Sequence, residues 1–340
     1  MKARIALLTS HRILIVVTIA AMMLGVMVGN WLVRADEPHL VHLSKRDVSV
    51  HDPSTIVKCG GEYWVFYTGD GVPSAHSKDL VKWESGPAVF TNLPEEVTQA
   101  VPAHKGNQIW APDVMYVGKQ YLLYYAVSTW GKNTSAIALA TNPTLDPRDP
   151  KYHWTDRGVV IQSCEGDNFN TIDPAITQDE KGGLWLAFGS YWSGIKLIAL
   201  DPATGLRFAN DKTIHALAYS GSIEASYIYH HGEFYYLFVD WGQCCRGTNS
   251  TYNIRIGRSH EITGPYLDKD GKDMLHGGGS LFLGSEGAFI GPGHAGIISV
   301  GKTDWFSCHF YDGKQDGKPM LGMGQVEWGS DGWPVLVPVK

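Results

Sequence analysis

Along most of this chain, short apolar or aromatic runs alternate with polar turns, and the alternation itself repeats. Each unit passes through an acidic or histidine-bearing turn, an apolar strand, a polar turn and an aromatic strand. Five units stand out: HDPSTIVKCGGEYWVFYTG (51–69), APDVMYVGKQYLLYYAVS (111–128), IDPAITQDEKGGLWLAFGS (172–190), IEASYIYHHGEFYYLFVDWG (223–242) and GPGHAGIISVGKTDWFSCHFYDG (291–313). They recur about every 60 residues, with strand-like runs and almost no helical periodicity, which marks a radial or solenoidal architecture. Aligned on their polar turns, the units place Asp52, Asp113, Asp173, Glu224 and His294 at one common point.

Further strands complete each unit. After YWVFYTG comes VPSAHSKDLVKWESGPAVF, and after YLLYYAVS come TSAIALATN and YHWTDRGVVI; the unit at Glu224 continues into TYNIRIGRS. About four strands per unit is the number in a propeller blade, so the chain reads as an all-β, five-bladed β-propeller. A β-sandwich would not explain five equivalent polar turns. The last blade is expected to close by pairing the segment 325–339 with a strand from 41–49.

Composition narrows the class. A hydrophobic content of 44% and an aromatic content of 11% are enough for one large core, and 39 glycines with 17 prolines supply the tight turns of a short-stranded fold. A net charge of −6, with no basic stripe, argues against a nucleic-acid partner. Abundant Trp and Tyr suit a neutral sugar, whose C–H faces pack on aromatic rings. Few free strand edges remain in a closed propeller, so a monomer is expected.

Residues 1–35 stand apart. Lys2, Arg4 and Arg12 precede an uncharged stretch from Ile13 to Val33, and Val33-Arg34-Ala35 has the small-residue spacing of a signal-peptidase site. The stretch is also long enough to span a bilayer, so a cleaved signal and an uncleaved membrane anchor through 13–33 both remain open. Either way the domain from 36 to 340 is expected outside the cytoplasm, secreted or periplasmic. The five cysteines show no zinc-site spacing; adjacent Cys244 and Cys245 read either as a vicinal disulfide or as two thiols beside Arg246. Asn133-Thr134-Ser135 and Asn249-Ser250-Thr251 match the glycosylation triplet.

In a propeller the first strand of each blade lines the axis, so the repeated turn residues face one cavity. Asp52, Asp173 and Glu224 could then do glycosidic chemistry, which needs one protonated and one ionised carboxyl group. A further carboxylate near the acid would hold it protonated by charge repulsion. Asp113 could add charge or make a structural hydrogen bond. Singly, each Asp-Pro is also an ordinary turn opener, and His294 could be a buried histidine bonded to a carbonyl. Recurrence in register favours the chemical reading.

The stretches VHDPS (50–54), WAPDV (110–114), STWGKNTSAI (128–137), NTIDPAI (170–176), GSYWSGI (189–195), IEASYI (223–228), CCRGTNSTYNI (244–254) and GPGHAGI (291–297) stand in an order that resembles glycoside hydrolase family 43, and within it the arabinan-degrading endo-arabinanases. The resemblance covers nearly everything after about residue 45. It implies a five-bladed propeller and an inverting hydrolase cutting internal α-1,5-L-arabinofuranosidic links of arabinan and arabino-oligosaccharides. By position it implies Asp52 as general base, Glu224 as general acid and Asp173 as the residue that orients the acid and tunes its pKa. Trp110, Gly131, Asn170, Ser190 and Trp192 match sugar-subsite positions, and His294 matches a histidine that holds calcium or a similar ion largely through water. Trp130 stands where relatives often carry Phe, and Thr171 where they carry Ala, a change that could alter a subsite. The alternatives are an exo-acting arabinofuranosidase or β-xylosidase on the same fold, and a non-catalytic arabinan-binding surface protein.

Overall fold

The computed structural model describes residues 43–337, so the signal or anchor expected at the N-terminus lies outside the described residues. Among the described residues no helix is long and apolar enough to cross a membrane. Five antiparallel sheets follow one another along the chain as five blades. The first comprises Val57–Cys59, Glu62–Phe66, Ser74–Ser77 and Glu84–Gly86; the second Gln108–Val117, Gln120–Ser128, Ser135–Asn142 and Thr155–Ser163. The third runs through Ala175–Gln178, Leu184–Phe188, Ile195–Leu200 and His215–Ala218, and the fourth through Ile223–His231, Phe234–Trp241, Asn253–Ser259 and Ser280–Leu283. The fifth has Phe289–Val300, Thr303–Asp312 and Lys318–Trp328, and two short strands share its outer edge. Ser44–Lys45 pairs with Met323 and Gly322, and Pro334–Val337 pairs further along the same strand. The first and last described strands therefore close the ring together, and Ser44–Lys45 lands on 318–328, slightly upstream of the segment expected from sequence.

Local chemistry explains the inner hairpins. Val117 pairs with Gln120 across Gly118-Lys119, both with positive φ (56° and 72°), a two-residue turn whose twist matches that of the flanking strands. Gly60, Gly232 and Gly301 lead two-residue turns at the same place in blades one, four and five, there with positive φ at the glycine alone. The buried apolar residues collect between blades. One cluster packs Val50, Ile56 and Val65 of blade one against Leu321 and Met323 of blade five, so closure is hydrophobic as well as hydrogen-bonded.

The inner strands share a second backbone feature. Asp52, Ala111, Asp173, Ala225 and His294 all take left-handed conformations, with φ of 49°, 41°, 57°, 52° and 59°. Such values are uncommon for residues with a Cβ and cluster where the surrounding structure over-determines them. Pairing breaks register just after this point in blades two, four and five, between Trp110 and Asp113, Glu224 and Tyr227, and Gly293 and Gly296. These bulges correct the alignment of the units. The true equivalents of Asp52, Asp173 and His294 are Ala111 and Ala225, with Asp113 two residues beyond and Glu224 one residue before. A bulge adds a residue without changing the apolar pattern, so aligning acid with acid concealed the offset.

Candidate active site

Three of the left-handed residues, Asp52, Asp173 and His294, line a cleft of about 980 Å³ to which all five blades contribute. Asp52, Asp173, Glu224 and His294 line it, and so do Trp110, Gly131, Asn170, Ser190 and Trp192. These nine converge although they span more than two hundred positions, whereas Asp113 of the same repeated turns does not join them. Trp130 and Trp192 are 74% and 40% exposed, whereas Trp110 is partly buried against the core. Trp110 and Trp130 meet edge to face, with ring centres 6.2 Å apart. Core packing therefore accounts for Trp110 but not for Trp130, whose indole stands at the cleft.

Asp52 sits among histidines. Its Oδ2 accepts from Thr68 Oγ1 at 2.7 Å and lies 2.8 Å from His51 Nδ1. Its Oδ1 lies 3.2 Å from His294 Nδ1 and 3.7 Å from His309 Nδ1. The Asp52 backbone N–H donates to His309 Nδ1, so that nitrogen carries no proton. Burial alone would raise the Asp52 pKa, but the positive charges of His51 and His294 overcome it and hold the carboxyl well below its usual range. Burial likewise opposes charge on the two imidazoles, yet Asp52 pushes His51 up to about 10 and His294 up to about 9. His309, fully buried, is driven well below the usual histidine range, first by burial and then by His51. Asp52 is thus held ionised between two imidazoles that its charge biases toward protonation.

Glu224 has the opposite setting. Ser190 Oγ donates to its Oε2 at 2.6 Å, and the Tyr252 hydroxyl donates to Oε1. Burial raises its pKa against those two bonds, and the negative charge of Asp52 adds to the rise. Asp173 is pushed up to about 8, mainly by burial, with Glu224 and Asp52 adding to the shift and His294 opposing it. Its Oδ2 accepts the backbone N–H of Ala225 at 3.1 Å, which ties Asp173 to the peptide immediately after Glu224. The anion that raises Glu224 is thus Asp52. Asp173 is itself biased toward its protonated form and touches the acid's backbone through Ala225 N–H. One cleft therefore holds an ionised carboxylate and a carboxyl group biased toward its protonated form.

Other expectations fall outside the cleft. Asp113 accepts Thr55 N–H at 2.9 Å and Ile176 N–H at 2.8 Å, pinning blades one and three together, and does not line the cleft. Thr171 is fully buried; its hydroxyl donates to Ser135 O at 2.7 Å and accepts from Ser163 N at 3.1 Å, so it is a strand clasp rather than a subsite. Asn133 is buried, with its amide donating to Asp167 O and Phe169 O, and so offers no glycosylation acceptor. Cys244 and Cys245 are free thiols and both line the cleft.

Sequence reasoning missed Thr68, Asp240, Tyr252 and His309. Thr68, Asp240 and His309 lie toward the end of the aromatic second strand of their units, as Ser190 does, so a polar residue recurring there was the available signal. Tyr252 had no comparable signal. Its ring passes where Gly293 has no side chain: a Cβ there would lie 2.6 Å from Tyr252 Cδ2.

For a metal, His51, Asp52 and His309 offer three ligand atoms within 4.8 Å of one another. His309 Nδ1 is already the acceptor for Asp52 N–H, so this cluster is a hydrogen-bond network. The surroundings of His294 differ. Asp240 Oδ1 is buried without a hydrogen-bond partner among the described residues, Asp240 Oδ2 accepts the His294 backbone N–H at 2.9 Å, and the His294 Nδ1 faces Asp52 Oδ1 at 3.2 Å. An orphaned carboxylate oxygen beside an imidazole fits a hydrated hard cation.

Comparison with known proteins agrees with this geometry. The model of the family described as glycosyl hydrolases family 43 matches residues 47–334. The chain is 40% identical over 290 residues to the extracellular endo-α-(1→5)-L-arabinanase 1 of Bacillus subtilis, covering 84% of this chain and 87% of the relative. It is 39% identical over 304 residues to the extracellular exo-α-(1→5)-L-arabinofuranosidase ArbA of Cellvibrio japonicus, covering 85% and 86%. The solved α-L-arabinanase of Cellvibrio cellulosa, in complex with arabinohexaose, superposes with a TM-score of 0.82 at 36% identity, over 86% of this chain and 96% of that one.

Proposed function

The chain belongs to glycosyl hydrolases family 43, and from that premise we propose that it hydrolyses internal α-1,5 links of linear arabinan with inversion at the anomeric carbon. The observation that carries this reading is the opposed setting of Asp52, flanked by His51 and His294, and of Glu224, hydrogen-bonded to Ser190 and Tyr252, in one aromatic-lined cleft. Asp52, kept ionised by His51, takes a proton from water. The resulting hydroxide character at the water oxygen is directed at the anomeric carbon while Glu224 gives its proton to the departing glycosidic oxygen. Attack and departure on opposite faces invert the configuration and require carboxyl groups about 6.5–9.5 Å apart. Asp173 positions Glu224 through Ala225 N–H, and Ser190 and Tyr252 fix the carboxyl plane. Trp130 and Trp192 offer faces to the furanose rings, with Trp110, Gly131 and Asn170 lining the cleft beside them.

The same reading gives His294 and Asp240 a hydrated calcium or comparable ion. When bound, it would offset negative charge at the centre of the cleft. Two extracellular relatives support export of this chain. A non-catalytic arabinan-binding role is set aside because the chain is a family 43 glycosidase. Exo action keeps specific support from a relative named as an exo-acting arabinofuranosidase and from a similar solved structure named as an exo-1,5-α-L-arabinanase.

Chromatography of early products from linear arabinan separates the two modes: internal cutting yields a ladder of oligosaccharides, and end-directed cutting yields one short product. Asp52→Asn and Glu224→Gln should each lower turnover by about 100-fold or more, the range for a general acid or base. NMR of the first-formed sugar should show inverted configuration, and retention would overturn Asp52 as base.

A further inference from the structure

Cys245 is exposed, and its sulfur lies 3.8 Å from His51 Nε2, the far side of the ring whose Nδ1 faces Asp52. The backbone holds it there. Cys245 N–H donates to Tyr311 OH at 2.7 Å, and that hydroxyl also bonds His51 Nε2 at 2.7 Å. Cys244, half-buried, is the adjacent residue and lines the same cleft. A thiol, an imidazole and a carboxylate thus stand in sequence at the mouth of the cleft, with a second thiol next to the first. Glycosidic hydrolysis uses neither sulfur.

We propose that Cys244 and Cys245 form a redox-sensitive thiol pair that takes low-molecular-weight disulfides and lowers glycosidase activity when oxidised. The Cys245 thiolate attacks one sulfur of the disulfide RSSR, forming Cys245–S–S–R and expelling RS⁻. The Cys244 thiol then loses its proton, and its sulfur attacks Cys245 Sγ, expelling a second RS⁻. Two protein thiols are oxidised to one vicinal disulfide while RSSR is reduced to two thiols. Geometry makes the product reversible. Neighbouring Cα atoms are about 3.8 Å apart, below the usual 4.4–6.8 Å of an unstrained bridge, and strained bridges are the readily reduced ones. Oxidation removes the thiolate charge that Cys245 presents to His51, 3.8 Å away. That ring also faces Asp52, Tyr311 and His309, so the change reaches the network holding Asp52.

Reactivity should be raised as well. The Cys245 pKa is lowered to about 5, first by its contact with Cys244 and then by His51 against burial. At pH 6 the gain in thiolate over an ordinary thiol is a few hundredfold, and the weaker nucleophilicity of a low-pKa thiolate cuts it to a net of about tenfold.

The inference rests on the proposed glycosidase reading only for its activity readout. The full chain, reduced and then treated with glutathione disulfide, is assayed on linear arabinan and peptide-mapped by mass spectrometry, with exposed Cys164 as the internal comparison. In the wild type a vicinal disulfide should form, activity should fall on the order of tenfold, the worth of one hydrogen bond to a charged group, and dithiothreitol should restore it. Cys244→Ser should stop at a stable glutathione adduct on Cys245, and Cys245→Ser should acquire no modification at 244–245. A stable adduct on wild-type Cys245 overturns the pairing, and so does modification of Cys164 alone. A vicinal disulfide with unchanged activity overturns the control of the cleft. An untreated, reduced protein inactive on arabinan refutes the function instead, and the mass-spectrometric result then still decides the thiol chemistry.

Discussion

Replacing Tyr252 with Phe removes one hydroxyl from the cleft and leaves the ring in place. That hydroxyl donates to Glu224 Oε1, and Ser190 donates to the other oxygen. Both bonds favour the ionised carboxylate, so they lower the Glu224 pKa against burial, which raises it. Loss of one donor must therefore raise it further. A hydrogen bond to a charged group contributes about 1.5–3 kcal/mol, and one pKa unit corresponds to about 1.4 kcal/mol. The neutral carboxyl also accepts from the hydroxyl, more weakly, so the differential part is about half and the expected rise is about one unit. The assay is the pH dependence of kcat/KM on a linear arabino-oligosaccharide. In Tyr252→Phe the alkaline limb should move up by about one unit. The acid limb, set by Asp52, should stay in place. Because Asp173 and Glu224 titrate as neighbours, the limb belongs to the pair, and Ser190→Ala should move it in the same direction. Activity at the optimum should fall on the order of tenfold as the acid loses its fixed orientation. An alkaline limb that stays or moves down, in a variant whose melting temperature shows an intact fold, would refute the argument.

Thr171→Ala should cost about 1–3 kcal/mol, the price of leaving a buried donor or acceptor unpaired, read as a lower denaturation midpoint; a changed KM on arabinan would restore the subsite reading of this position. Chelation should lower the melting temperature, with calcium restoring it, and His294→Ala should abolish that response; a chelator-insensitive wild type with no metal by elemental analysis makes His294 purely structural. His51, raised to about 10 in the fold from about 6.5 unfolded, contributes stability fully present below pH 6.5 and lost as the pH rises through 10. Asp52→Asn removes the charge responsible, so its melting temperature should fall less between pH 6.5 and 10 than that of the wild type; parallel falls would contradict the His51–Asp52 coupling.

Strands, turns and blade number were legible in the sequence because their causes are local. Alternating apolar residues, Gly-led two-residue turns such as Gly118-Lys119, and Asp-Pro openers act within a few positions and repeat five times. Repetition also disclosed that Asp52, Asp173, Glu224 and His294 would meet, because radial closure brings equivalent turns to one axis. Which acid does what was not legible. Asp113 and Asp52 look alike as turn residues, yet a bulge sends one into a buried clasp between blades and the other to the cleft. The charge states also belong to the tertiary structure. Asp52 is ionised because His51 and His294 surround it, while Glu224 and Asp173 are raised because burial strips their water. Desolvation and Coulomb energy depend on distances between blades, and no local pattern encodes them. The same holds for Cys245, which meets His51 only after the fifth blade closes on the first.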